Sequence, residues 1–210
     1  MKVLIVAEGI HELGDSAAPE RGDESDHAGA LQTLVRRLLP GEIEFIKRAF
    51  RSREIQLTAM RGMGSKLSKR ILLWFRYAER HECDAVIILI DEDDDPRRRP
   101  EMESAQDQLG LRIRRACGLA IREFEAWIVA DEGAFSTALG TTVDCQPAPE
   151  RIRDPKRAFK DIHETSACRL WPRDVYAAVM AKVNLELLAK RCPRGFAPFE
   201  VRVRALADSN

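Results

Sequence analysis

Two runs of consecutive apolar, largely β-branched residues constrain this chain more than any other feature. Val3-Leu4-Ile5-Val6-Ala7 leads into Glu8-Gly9-Ile10-His11-Glu12, and Ala85-Val86-Ile87-Ile88-Leu89-Ile90 leads into Asp91-Glu92-Asp93-Asp94-Asp95. A strand with one wet face alternates apolar and polar residues. An unbroken run of five or six reads instead as a strand buried on both faces, as in a parallel sheet covered by helices. Open α/β sheets bind their ligands beyond the carboxyl ends of their strands, and both runs end there in carboxylates. If the two strands are neighbours, the collected negative charge needs a compensating cation. A hard divalent ion such as Mg²⁺ or Mn²⁺ takes oxygen ligands of this kind.

The rest of the chain alternates in the same style. Leu31, Leu34, Val35, Leu38 and Leu39 follow a helical stripe that stops at Pro40-Gly41. Residues 42–47 alternate and predict a half-exposed second strand. Residues 13–27 read as a polar, exposed loop and 51–65 as irregular. Ser65 caps a helix with Leu67, Ile71, Trp74, Phe75 and Ala78 on one face. Further on, the pattern predicts a helix over roughly 101–115, a short strand at Leu119-Ala120-Ile121 and a helix from Glu123 to Leu139 closed by Gly140. Pro147, Pro149 and Pro155 mark a linker, followed by helices at 154–165, 174–182, 184–192 and 198–207. The expected fold is therefore α/β and Rossmann-like, a mostly parallel sheet flanked by helices. One domain spans 1–210, with an α/β core over about 1–140 and a helical C-terminal extension over about 141–210.

Composition narrows the classes. Lys+Arg and Asp+Glu both number 34, so net charge offers no argument for a nucleic-acid partner, although the charges are segregated locally. The five cysteines are scattered with no CxxC pair, which reads as reduced thiols and not as a disulfide frame or a zinc site. No apolar stretch approaches the roughly 18 residues that span a bilayer, and the first residues lack a signal-peptide pattern. The expectation is a cytoplasmic protein with no membrane partner.

Asp91 and Asp93 are two apart at the end of an extended strand, so they are expected to point the same way. Gly9 permits a tight turn out of the first strand. A helix starting there puts Glu12 one turn beyond Glu8, on the same face. Glu123 and Glu125, in IREFEAW, follow the third short strand. Five carboxylates from three strand ends can hold one or two metals, and two metals about 4 Å apart suit phosphodiester chemistry. Asp94 and Asp95 read as a solvated turn.

The EGxxE of Glu8 to Glu12, followed by the DxD of Asp91 to Asp93 after a later apolar strand, resembles the Toprim domain of primases, type II topoisomerases and overcoming-lysogenization-defect nucleases. More narrowly, IREFEAWIVAD and DPK resemble the bacterial Toprim-like domain-of-unknown-function family 4276, a likeness that runs to Phe196 and Phe199. The resemblance implies a Toprim-like fold with Mg²⁺ or Mn²⁺ held by Glu8, Asp91 and Asp93. Glu12 and Glu125 (or Glu123) would contribute as in the nuclease branch. It implies hydrolysis of DNA or RNA, in a bacterial defence or repair system with a companion ATPase. By the same resemblance, Lys156 is a lysine that stabilises charge on the phosphate. Read alone, it is a surface lysine on a first helical turn, with Pro155 at N1 and Asp154 as cap.

The departures matter too. The run DEDDDP has no glycine close behind it, which leaves the ligand pair open between Asp91/Asp93 and Asp93/Asp95. Tyr77 and Tyr176, the two tyrosines, both fall on apolar helical faces, so topoisomerase-type strand passage is not expected. His11-Glu12 starts like HExxH but lacks the second histidine; His11 reads as a turn residue or as a contact to metal or phosphate. Residues 61–66 (RGMGSK) resemble a phosphate loop only superficially. Lys66, Lys69 and Arg70 near a helix start can take a phosphate, and Arg97 to Arg99 with Arg112, Arg114 and Arg115 can line a backbone groove. Trp74, Trp127 and Trp171 read as core. Two other classes fit the same residues: a different Mg²⁺-dependent phosphotransfer enzyme on a Rossmann-like sheet, and a non-catalytic or partner-dependent module of a multi-protein system.

Overall fold

The first apolar run forms β1 (Lys2–Ala7) and the second forms β3 (Ala85–Asp91). They pair in parallel, from Val3 opposite Ala85 to Ala7 opposite Leu89. β2 (Glu44–Ala49) lies on the other edge of β1, and β4 (Arg114–Ala120) lies beyond β3. The order is β2-β1-β3-β4, all parallel. The computed structural model describes residues 1–14, 28–55 and 65–208. The chain leaves β1 towards one edge of the sheet and returns to the other side of β1 for β3. The boundary between these two strands is thus where the winding reverses, the position at which such sheets form a ligand crevice.

A period of two sends alternate strand residues to opposite faces. Val3, Ile5 and Ala7 join Ala85, Ile87 and Leu89 in one fully buried cluster under Leu31, Leu34 and Val35 of α2 (Ala30–Leu38). Leu4 and Val6 join Val86, Ile88 and Ile90 on the other face, under Ile71, Trp74 and Phe75 of α3 (Lys66–Arg80). Each such side chain contributes about 1.5–3 kcal/mol. The Ser65 hydroxyl accepts from the Ser68 amide at 3.2 Å and starts α3 as expected.

Two expectations fail in the middle of the chain. The helix expected over 101–115 is α4 (Arg98–Gln106), and residues 114–120 are strand instead. β4 is an edge strand that opens with two arginines, so it lacks the unbroken apolar run of β1 and β3. Arg115 Nε donates to Gln106 O at 2.6 Å, which ties the strand to the end of α4. The helix expected from Glu123 to Leu139 is two: α5 (Glu125–Ile128) and α6 (Glu132–Leu139). Asp131 divides them. Its Oδ1 accepts from the Gly133 and Ala134 amides, both at 3.0 Å, and so caps α6. Gly140 closes α6 in the left-handed conformation, φ 68°.

The helices beyond residue 140 are α7 (Pro155–Thr165), α8 (Pro172–Lys182), α9 (Leu185–Arg191) and α10 (Phe196–Arg204). They pack on the α2 side of the sheet, where Val175, Tyr176 and Phe199 share one cluster with Val3 and Ile5. Phe196 and Phe199 close on Trp127, with ring centroids 5.4 and 5.5 Å away. Gly118 makes the seat for α10: a Cβ there would stand 2.4 Å from Phe199 Cδ2. Trp74, Trp127, Tyr77 and Tyr176 are buried, as their positions in sequence suggest, but Trp171 is 71 % exposed. Trp171 precedes α8 and joins neither cluster; the apolar face of α8 begins only at Val175. Residues 61–64 of the glycine-containing segment, and residues 15–27 of the expected loop, lie outside the described residues. Among those described, no helix is long and apolar enough to cross a membrane.

Candidate functional site

β1 stops at Ala7, opposite Leu89, and β3 runs two residues further to Asp91. The Asp91 amide donates to Glu8 Oε2 at 3.1 Å, so the two acidic clusters meet directly. α1 (Ile10–Leu13) begins at once and turns Glu12 back over the strand end. A Cβ on Gly9 would lie 2.1 Å from Glu12 Oε2, so any side chain there would displace this carboxylate. Glu12 is 7 % exposed, and its Oε2 is buried without a hydrogen-bond partner. Burial first, then Glu125 and Glu8, push Glu12 up to about 7. Burial first, then Glu12, Glu125, Glu8 and Asp93, push Asp91 up to about 9. Five carboxylates from three strand ends thus act on one another in a low-dielectric pocket.

Glu125 opens α5, and its Oε1 accepts from Tyr176 Oη at 2.7 Å in the interior. Burial and the neighbouring Glu125 push the Tyr176 phenol well up, which keeps it a donor. Glu123 stands to one side. Its Oε2 accepts from the Lys156 amide at 3.0 Å, while Asp154 Oδ1 accepts from the Arg157 amide at 2.7 Å. Both carboxylates therefore serve the N-terminus of α7. The same turn brings the Lys156 charge close enough to oppose protonation of Glu12 and Glu123.

The strand geometry expected for Asp91 and Asp93 does not hold. β3 ends at Asp91, and Asp93 and Asp94 adopt left-handed backbone, φ 51° and 55°. Aspartate tolerates this region better than most residues, which lets this acidic turn do without a glycine. Arg122, whose carbonyl accepts from the Asp93 amide at 3.0 Å, is also left-handed, φ 62°. Such backbone costs about 1–3 kcal/mol per residue and clusters at functional sites. Asp95 turns away: Arg97 Nε and Nη2 each donate to it at 2.9 Å, and this clamp holds its carboxyl down at about 2. Asp94 pairs with Arg122. Of the acidic run, Asp91 acts on Glu8 and Glu12 and Asp93 pairs with Arg98, while Asp95 feels Arg98 but is clamped by Arg97.

Arg98 is one of the arginines expected along a backbone groove. Its Nη1 donates to Glu8 Oε2 at 2.7 Å and to the Asp91 carbonyl, and its Nη2 lies 3.0 Å from Asp93 Oδ2. The side chain is 15 % exposed. Nothing in the run Arg97-Arg98-Arg99 sets the middle residue apart; helix α4 selects it by aiming one of the three at the strand ends. Three of the other arginines named for that groove are placed elsewhere. Arg99 donates to the Arg194 carbonyl, and Arg114 and Arg115 open β4 at the amino edge of the sheet, opposite the carboxylates.

A family model described as a domain of unknown function (DUF4276) matches residues 25–203. The chain belongs to the DUF4276 family. The matched span contains Asp91, Asp93, Arg98, Glu123, Glu125 and Lys156, while Glu8 and Glu12 precede it. No curated protein and no solved structure matches this DUF4276 chain.

Two observations bear on whether a divalent metal fits. The donor set is all carboxylate, the chemistry a hard ion requires, and Glu12 Oε2 is a buried acceptor with no donor. Against this, among the described residues no three of His, Cys, Asp and Glu stand together as a formed ligand set. Arg98 instead stands between Glu8 and Asp93 and pairs with both. At these strand ends the carboxylates of Glu8 and Asp93 are thus engaged by a side-chain cation.

Proposed function

We propose that this protein is a metal-dependent phosphodiesterase of the Toprim type, acting on DNA or RNA with Mg²⁺ or Mn²⁺. The observation that carries the reading is the meeting of Glu8, Glu12, Asp91, Asp93 and Glu125 where the winding of the sheet reverses, with one buried carboxylate oxygen lacking a donor. Glu8, Asp91 and Asp93 would hold one ion, with Glu12 and Glu125 completing a second position. When bound, the metal supplies a nucleophilic hydroxide and neutralises charge on the phosphate.

The chain's own groups do the rest. Tyr176 fixes the rotamer of Glu125 by donating to Oε1. Gly9 leaves room for the Glu12 carboxylate at the strand end. Lys156 stands on the first turn of α7, where its ammonium favours an anionic phosphate, the amides of that turn being already bonded to Glu123 and Asp154. Arg98, once released from Glu8 and Asp93, is a second phosphate ligand within the site. The test is cleavage of labelled single- and double-stranded DNA and RNA with Mn²⁺. The Asp91→Asn, Glu8→Gln double variant should lose activity by at least about a thousandfold; a variant as active as the parent overturns the reading.

A second reading is supported by Arg98 itself. A site whose carboxylates are held by a side-chain cation suits a module that acts only within a multi-protein bacterial defence or repair system, with a companion ATPase. Cleavage that appears only when such a partner is added would select it.

A further inference from the structure

Beside the carboxylates lies a separate cavity of about 230 Å³, lined by His11, Glu125, Lys156, Phe159, His163 and Tyr176. It is smaller than the roughly 300 Å³ at which pockets for drug-sized ligands begin, which leaves room for one planar ring system. Its walls suit such a ring. Phe159 stands edge-on to Tyr176 with centroids 4.7 Å apart, and Phe159 and His163 stack at 5.7 Å with planes 16° apart. His11 Nδ1 is buried there without a partner, a polar atom available to the edge of a ring. Two of the walls, Glu125 and Lys156, belong equally to the site described above.

The chain next to the cavity carries a second, independent feature. Pro172 lines the cavity, and the residue before it is Trp171, 71 % exposed. His163 also bonds the Leu170 carbonyl at 3.0 Å, so the segment that carries Trp171 is tied to the cavity wall. An exposed tryptophan is costly to leave in water, and stacking under a base is a common use for one.

We infer that the cavity receives a nucleobase next to the scissile phosphate and that Trp171 stacks a neighbouring base, so the substrate is single-stranded nucleic acid or a strand end. The inference rests on the phosphodiesterase reading for the position of the phosphate. Bases inside a duplex are stacked and paired and cannot enter a cavity of this size without being flipped out, which costs a few kcal/mol. Single strands avoid that cost. Lys156 at the cavity suits the backbone that carries the base, whereas Lys160 is paired with Glu164, which lines the cavity too.

The test measures binding, not cleavage. Ca²⁺ replaces Mg²⁺, and a labelled mixed-sequence strand of about twenty nucleotides and its duplex, which stays paired at about 1.4 kcal/mol per step, are titrated by anisotropy. Trp171 is the exposed one of three tryptophans, so the part of the emission that is missing in Trp171→Phe reports contact. The expected result is quenching by the single strand and about tenfold weaker binding of the duplex. Trp171→Ala should lose about tenfold in affinity, Trp171→Phe should retain most of it, and His163→Ala should weaken binding without altering the quench. Equal affinity for duplex and single strand overturns the inference. So does an affinity unchanged by Trp171→Ala, and a Trp171→Ala variant that changes only the sedimentation of the protein assigns the residue to a protein contact instead. Binding that behaves as expected with no cleavage in Mn²⁺ counts against the phosphodiesterase reading alone.

Discussion

The Arg98 guanidinium donates to Glu8 Oε2 at 2.7 Å and reaches Asp93 Oδ2 at 3.0 Å with its other terminal nitrogen. One side chain thus bridges the two acidic clusters that meet at the β1/β3 boundary, with Arg51 Nη2 3.4 Å from Glu8 Oε1 on the outer side. Buried carboxylates require such a partner, and a divalent ion would compete for the same oxygens. Arg98→Gln should therefore bind Mn²⁺ at least about tenfold more tightly, a gain of about 1.4 kcal/mol. Isothermal calorimetry reads the change, and equal or weaker affinity would remove Arg98 from the cation position.

The carboxyls of Glu12 and Asp91 are pushed up to about 7 and about 9, chiefly by burial. In the unfolded chain both titrate near 4. Between about pH 4 and 9 the folded protein holds protons that the unfolded chain has released. Stability without metal is then greatest below the unfolded values and falls as pH rises through 7 and 9. Metal binding releases those protons, so stabilisation by Mn²⁺ should grow in the same direction. Thermal melts at pH 6 and 8, with EDTA and with Mn²⁺, check both signs.

Glu12 has a buried oxygen with no donor, among like charges. Glu12→Gln should raise the metal-free melting temperature at pH 8, by about 1–2 kcal/mol of stability. It should also flatten the pH dependence and lower Mn²⁺ affinity. A variant that melts lower than the parent at pH 8 would show that Glu12 serves the fold and not the site.

Tyr176 donates to Glu125 at 2.7 Å in the interior. Tyr176→Phe keeps the ring and removes the donor, which leaves a buried carboxylate oxygen short of one bond. The expected cost is about 1–3 kcal/mol, with cooperative unfolding retained, as read by urea denaturation. Gly118→Ala, which places a methyl 2.4 Å from Phe199 Cδ2, should cost a similar amount by displacing α10. Unchanged stability there would mean that α10 is free to shift.

Much of the site is legible in the order of residues. The apolar runs at 3–7 and 85–90 locate two strands, and the carboxylates that follow them are expected at one edge. Ser65, Asp154 and Gly140 act at helix ends as their types and positions suggest. These are local signals, set by backbone propensity, capping and a period of two. The sequence by itself thus determined the central parallel strands, their buried faces and the carboxylates at their carboxyl ends. Tertiary structure decided what local pattern does not encode. β4 is a strand because β3 offers it an edge; Asp93 is left-handed within a turn bonded to the Arg122 carbonyl; Arg98 enters the site because α4 turns it there; Trp171 is exposed because the buried face of α8 starts after it. Each of these depends on a partner distant in the chain, and only packing brings such partners together.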